Sequence, residues 1–199
     1  TKQVEVHIFH VKKFSGNLAA AVLQAHREIS RMPETGASTL TAAWVHGSSL
    51  DVAHVGDSAL FLVRKRVEKV TQEDAIPGTS VLTQVLGRGK IRPHQYRLAL
   101  RKGDVLVLAT DGVANFVEER EILEAVQAAE KAPARLIALA RKKPKLYEDD
   151  KTAEVVGVVC RSLSSCSVAG ILLLWRGAAM KIAYVTDVHG NLPCFGNFL

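Results

Sequence analysis

At 199 residues, 48% hydrophobic and 23% charged, the chain can bury a real core and is too apolar to be a disordered segment. Its net charge of +6 is mild, and the one local cluster, Arg141, Lys142, Lys143 and Lys145, is broken by Pro144 and lacks interleaved aromatics, so it reads as a solvated loop in preference to a nucleic-acid site. Three cysteines, Cys160, Cys166 and Cys194, offer neither metal-ligand spacing nor an even disulfide count; no amino-terminal signal is visible, and the apolar run Val168 to Trp175 is far short of the roughly 20 residues that span a bilayer. The expectation is a cytoplasmic protein with neither membrane nor nucleic acid as a partner.

In chain order, residues 4 to 11 (Val-Glu-Val-His-Ile-Phe-His-Val) read as a strand, and a Lys-Lys-Phe-Ser-Gly-Asn turn leads to a helix from about Leu18 to Ser30. Thr39 to Val45 and Leu50 to Val55 make a hairpin around His46-Gly47-Ser48-Ser49. After Gly56-Asp57-Ser58 a third strand runs from Ala59 to Arg64. Residues 97 to 101 and 104 to 110 read as a second hairpin turning at Lys102-Gly103. Helices are expected at about 118 to 130 and 133 to 142, the latter opened by Pro133, where a missing N–H costs nothing. A strand from Ala153 to Cys160 closes the coherent part. Consecutive antiparallel strands with helices before and after them point to an α+β fold.

Asp111 stands at the end of the apolar run 104 to 110, in a turn with Gly112, and Asp149 and Asp150 stand before another apolar run. Taken singly, each acid is a common turn former or N-cap. Together, carboxylates at buried strand ends call for a cation, and oxygen donors of this kind suit Mg²⁺ or Mn²⁺.

Gly36-Ala37-Ser38-Thr39-Leu40, Val52-Ala53-His54-Val55-Gly56-Asp57-Ser58, Val81-Leu82-Thr83-Gln84-Val85-Leu86-Gly87, Lys102-Gly103-Asp104 with Thr110-Asp111-Gly112-Val113, and Asp149-Asp150-Lys151-Thr152 follow one another in a telling order. Over residues 36 to 160 this pattern resembles the metal-dependent protein phosphatases of the 2C class, most closely the bacterial stage II sporulation protein E branch. The resemblance implies an α-β-β-α sandwich of two antiparallel sheets flanked by helices. It also implies Mn²⁺ or Mg²⁺ as cofactor and hydrolysis of phosphoserine or phosphothreonine on a protein partner by a metal-bridging water. By the same resemblance Asp111 and Asp149 are metal ligands, Asp150 takes the second, structural place of its motif, and Asp57 serves a hydrogen-bond network or a weaker metal. Gly56 and Gly112 fit as backbone positions where a side chain would obstruct a tight turn.

The family normally supplies an early strand ending in Asp-Gly, whose aspartate bridges both ions. Here no acid lies between Glu5 and Glu28, and Asn17 marks a junction where that strand and loop are absent. Without the bridge two close cations would repel, so weak or mononuclear binding is expected. His7, His10, His26 and His54 are not promoted as substitutes, since His7 and His10 lie three apart on a strand and so face opposite sides.

From Ser162 the sequence reads as a linker. It is followed by Met180-Lys181-Ile182-Ala183-Tyr184-Val185-Thr186-Asp187-Val188-His189, which resembles the start of a calcineurin-like metallophosphoesterase through Asp187 and His189. The domain reading is therefore 1 to 161 phosphatase-like and 162 to 199 an incomplete appendage. Two functions remain open: a phosphatase weakened by the absent Asp-Gly, or an inactive phosphatase-like module that binds a phosphoprotein or regulatory protein.

Overall fold

The computed structural model describes residues 16–31, 36–128 and 131–143, together with the backbone of residues 153–159, 162–168, 172–174, 181–185 and 188–189. The expected strand at 4 to 11, with His7 and His10, lies outside the described residues.

Helix α1 (Leu18–Ile29) starts where Asn17 Oδ1 accepts the Ala20 N–H at 3.0 Å, an N-cap that satisfies one of the orphan amides of the first turn. Its apolar stripe of Leu18, Val22 and Ile29 packs on Ala42, Ala53, Val55 and Leu86. Apart from Leu86, which bridges Ser38 from a loop, those partners belong to the outer face of a sheet built on β2 (Leu40–His46) and β3 (Ser49–Val55), which pair in register from Leu40 opposite Val55 to His46 opposite Ser49. The first hairpin is therefore as expected. Strand β1 (Ala37–Ser38) precedes it, and β6 (His94–Ala99) extends the sheet beside β3.

The second sheet contains β4 (Ala59–Val63), β5 (Val67–Lys69) and β7 (Val105–Ala109), with β4 pairing antiparallel to both others. Alternation assigns its two faces. Leu60, Leu62, Leu106 and Leu108 point between the sheets and meet Ala43, Leu50 and Val52, whereas Ala59, Phe61, Val63, Val107 and Ala109 point outward. Burying a Leu fully contributes roughly 1.5–3 kcal/mol, so this inter-sheet layer is the main adhesive of the sandwich. The outward face is covered by α2 (Asp111–Ala114), α3 (Glu119–Val126) and α4 (Ala132–Lys142) through Val113, Ile122, Ala125, Leu136, Ile137 and Ala140. Helix α3 opens on a capping box between Glu118 and Glu121, and Pro133 sits in the first turn of α4. The layers are helix, sheet, sheet, helices: the α+β sandwich of two antiparallel sheets that the sequence led us to expect.

Three expectations are corrected. Residues 97 to 110 are not a hairpin: β6 pairs with β3 in one sheet, and β7 pairs with β4 in the other. The chain turns at Gly103, with φ +88°, but crosses between layers. Asp104 fixes the crossing: its carboxylate takes two hydrogen bonds from Arg64, both 2.8 Å, and one from the Arg101 N–H at 2.8 Å. Second, the segment read as a linker forms β9 (Ser162–Val168), paired antiparallel with β8 (Ala153–Val159), which itself pairs with β7. Strands β10 (Leu172–Leu174) and β11 (Lys181–Val185) continue the first sheet, with β11 against β2, and β12 (Val188–His189) pairs with β1. Third, Arg141 and Lys142 belong to the last turn of α4 rather than to a loop, where cations favour the carbonyl end of the helix. Lys143 caps that end and reaches Glu118 and Glu121 at 3.2 and 2.8 Å.

Candidate metal centre

The Gly56-Asp57-Ser58 turn carries the chain from β3 in one sheet to β4 in the other, so it lies at one end of the sandwich. Gly56 has φ +105°, and a Cβ there would stand 2.5 Å from Thr39 Cγ2; glycine is required by both backbone and space. Ser58 and Thr39 are fully buried and joined through their hydroxyls at 2.9 Å. Thr41 Oγ1 lies 3.2 Å from the Ser58 carbonyl and 2.8 Å from His54 Nδ1, while His54 Nε2 lies 2.9 Å from the Gly56 carbonyl. A carbonyl only accepts, so His54 carries its proton on Nε2 and accepts from Thr41 at Nδ1. Burial pushes the His54 pKa down to about 4, which keeps the ring neutral under ordinary conditions. Asp57 is the one residue of the turn that reaches partial exposure; its neighbours on both sides are buried.

Asp111 is delivered by β7. Thr110, 1% exposed, is the N-cap residue of α2, and its carbonyl accepts from the Val113 and Ala114 amides at 2.9 Å each. The Asp111 carboxylate takes the Gly112 N–H at 2.7 Å and is itself half-buried. Gly112 departs from expectation: it is a buried residue of the helical turn and is not among the glycines with positive φ.

Register places these two turns together. Ala59 of β4 faces Ala109 of β7, so Asp57 and Asp111, two residues beyond each, leave the second sheet at the same end. Ala109 also faces Ala153, the first residue of β8. Asp149 and Asp150 precede Ala153 in sequence and lie outside the described residues, as does Asp187 of the tail. His189 is placed only as a register position opposite Ala37.

Carboxylate oxygens on turns at strand ends are the donor chemistry that Mn²⁺ or Mg²⁺ takes, so Asp57 and Asp111 fit such an ion in kind. Among the described residues no group of three or more His, Cys, Asp and Glu side chains could hold a metal. A fuller donor set would have to include side chains outside the described residues. His26 and His54 are structural: His26 is buried with its Nδ1 accepting the Gly87 N–H at 3.2 Å, and His54 is fully engaged as above. The start of α1 is also informative. Gly16 through Ala19 line a cavity of about 360 Å³ with Asp51, Val52, Gln95, Tyr96 and Arg97, whereas Ile29 at the other end of the helix abuts Gly87. A 12-residue helix is about 18 Å long, so the Asn17 junction faces away from the acid turns, and an Asp-Gly pair placed there would sit at the wrong end of the sheet.

Sequence reasoning missed the support beneath the acids. Asp74, 6% exposed, accepts the Gly56 N–H at 2.9 Å on Oδ2, and on Oδ1 it meets Gln84 Nε2 at 2.8 Å and His94 Nε2 at 2.7 Å. Thr71 Oγ1 accepts the Leu60 N–H at 3.0 Å. The available signal was polar residues, Thr41 and His54, at inward positions of otherwise apolar strands; Asp74 gives no periodic signal at all.

The chain as a whole is similar to known proteins. The sequence profile described as protein phosphatase 2C matches residues 6–142. The serine/threonine protein phosphatase PstP of Mycobacterium tuberculosis is 30% identical over 147 residues, 63% of this chain and 28% of its own length. The serine/threonine phosphatase stp of Listeria monocytogenes is 29% identical over 107 residues, 44% of this chain and 42% of its own. The chain thus spans less than half the length of these curated relatives. Among solved structures, a serine/threonine phosphatase of S. agalactiae superposes with a TM-score of 0.63 at 20% identity, covering 76% of this chain and 74% of that one. The catalytic domain of PstP, solved in complex with two manganese ions, gives 0.56 at 26% identity and 72% coverage of each chain.

Proposed function

The chain belongs to the protein phosphatase 2C family, and from that premise we infer that its acid-bearing end is a metal-dependent site for hydrolysing phosphoserine or phosphothreonine on a protein partner. The observation that carries the reading is the placement of Asp57 and Asp111 on separate turns at one end of the second sheet, each half-exposed beside buried neighbours. Asp111, Asp149 and Asp57 are the residues that would hold Mn²⁺ or Mg²⁺, with Asp150 in a supporting place. When bound, such an ion polarises a phosphoryl oxygen and makes water a competent nucleophile near neutral pH.

The chain's own part is to fix where the carboxylates stand. Gly56 and Ser58 are clamped by buried hydrogen bonds, so the backbone that carries Asp57 is held on both sides, and Thr110 anchors the turn that carries Asp111. The mild positive charge favours encounter with an acidic phosphoprotein. The lack of any acid between Glu5 and Glu28, where the family's bridging Asp-Gly would be expected, favours a single ion and weak turnover over a tightly held pair. Placement near the stage II sporulation protein E branch rests on motif spelling alone, and Asp187 and His189 carry no assigned role. Pairing of β9 with β8 and of β11 with β2 supports treating the tail as added strands of this domain rather than a separate unit.

The test is manganese-dependent hydrolysis of a phosphoserine or phosphothreonine peptide by the full chain. Hydrolysis should stop on chelation and fall about 100-fold or more in Asp111→Asn. Phosphopeptide binding without turnover would instead establish the regulatory binding module; hydrolysis indifferent to chelator would refute the metal site.

A further inference from the structure

The irregular connection between β5 and β6 contains a small hairpin. Ala75 bridges Leu82, the Ile76 N–H donates to the Val81 carbonyl at 2.9 Å, and the Thr83 N–H donates to the Asp74 carbonyl at 2.7 Å. Ile76 and Val81 on this hairpin are 46% and 55% exposed, the exposed large hydrophobics of the described residues. Asp74 stands at its base, and there it does two things to one residue. Its Oδ2 accepts the Gly56 N–H at 2.9 Å, and its own N–H donates to the Gly56 carbonyl at 2.7 Å. Gly56 is thus bracketed on both sides by a single residue 18 positions away, immediately before Asp57.

A buried carboxylate is costly unless its oxygens are satisfied, and here they are met by a backbone amide, Gln84 and His94. The arrangement is more than turn closure. His54 already donates to the Gly56 carbonyl, and Thr39 and Thr71 already hold Ser58. What Asp74 adds is a tie between the turn and the exposed hairpin.

We propose that Asp74 is a positioning residue for Asp57: by bracketing Gly56 it sets where the Asp57 carboxylate stands, and it couples that carboxylate to the 75–82 hairpin. This rests on the reading of Asp57 as a metal-site acid. The effect on the ion is indirect, since Asp74 touches the backbone that carries the acid. Removal of groups that orient metal ligands commonly costs about tenfold or more in affinity.

The experiment compares the full chain with Asp74→Ala, Asp74→Asn, Gln84→Ala and Asp104→Ala, titrating Mn²⁺ by calorimetry and following amide hydrogen exchange at Gly56, Asp57 and Ser58 by NMR. Asp74→Ala should weaken Mn²⁺ binding about tenfold and speed exchange in the turn by a similar factor. Asp74→Asn retains an acceptor for the Gly56 amide and should restore most of both. Gln84→Ala, which leaves Gly56 untouched, should shift both in the same direction by less, and supplies the readout should Asp74→Ala fail to fold. Asp104→Ala, at the other end of β7, should lower the melting temperature and leave both readouts unchanged. Wild-type exchange and affinity in Asp74→Ala or, if that fails to fold, in Gln84→Ala would overturn the proposal. If the wild-type chain binds no Mn²⁺, the metal reading of the site fails, and the exchange arm still decides whether Asp74 governs the turn.

Discussion

The two ends of the sandwich satisfy their carboxylates with different partners. At the end where β6 crosses to β7, Asp104 is nearly buried and held by both Arg64 nitrogens and the Arg101 amide, and on the neighbouring sheet Asp51 is gripped by Arg97 and His46. Burial pushes the Asp104 carboxyl up, but the Arg64 fork and the Arg101 N–H outweigh it and hold it below its ordinary value. The Arg97 hydrogen bond likewise lowers Asp51. At the opposite end, Asp57 and Asp111 stand partly exposed, and the buried Asp74 carboxylate joins neutral groups, Thr39, Thr41, His54 and Thr110, in anchoring the turns that carry them. At one end every acid named is tied to an arginine; at the other a buried acid, Asp74, ties the backbone while Asp57 and Asp111 keep partial exposure.

The sharpest way to break this contrast is Gly56→Ala. With φ +105° and a Cβ site 2.5 Å from Thr39 Cγ2, the substitution should cost about 3 to 4 kcal/mol and disorder the acid end, measurable by denaturant unfolding. A loss below about 1 kcal/mol would mean the turn is not rigid.

His54 comes next. Its folded pKa is depressed from 6.5 to about 4, so between these values the unfolded chain takes up a proton that the folded chain refuses. Its contribution is present above pH 6.5 and is lost as pH falls towards 4, on the order of 2 to 3 kcal/mol. Melting curves from pH 7 to 4 should show a shallower fall for His54→Gln than for wild type; parallel curves would remove the buried neutral histidine from the account.

At the closed end, Asp104→Ala strands Arg64 and the Arg101 amide and should cost about 2 kcal/mol without altering Mn²⁺ binding. Its pH signature has the same sense as that of His54 but lies lower: Asp104 stabilises above its ordinary value of 3.8 and ceases to do so as pH falls through its depressed folded value. The smallest effect belongs to Arg97→Ala, because the Arg97 side chain is 75% exposed and water screens its pair with Asp51. A melting temperature indistinguishable from wild type is expected, and a large drop would show the pair to be structural.

What the sequence revealed follows the same division. Strand β7 is apolar at every position and sits centrally between β4 and β8, and the Asn17 cap and Pro133 mark helix starts, so layers and class could be read directly. Residues 97 to 110 were misread because a Lys-Gly turn between two strands looks the same whether they pair or part. The two strands differ in surroundings: β6 alternates in exposure, as a strand with one face towards solvent does, and β7 is buried on both faces. The Ser-rich stretch at 162 to 168 lacks the apolar alternation of a strand, yet its backbone pairs along the whole of β8. The turns that carry Asp57 and Asp111 were legible because turns at strand ends have local signatures. Asp74 was missed because its role depends on Gly56, Gln84 and His94, contacts made across an irregular connection that leaves no period in the chain.

Calorimetric titration of Mn²⁺ into the full chain, alongside Asp111→Asn, tests the central claim most directly. One strong site per chain that disappears in Asp111→Asn is the expected result. Two tightly bound ions, or binding that survives Asp111→Asn unchanged, would contradict the assignment of the acid-bearing end.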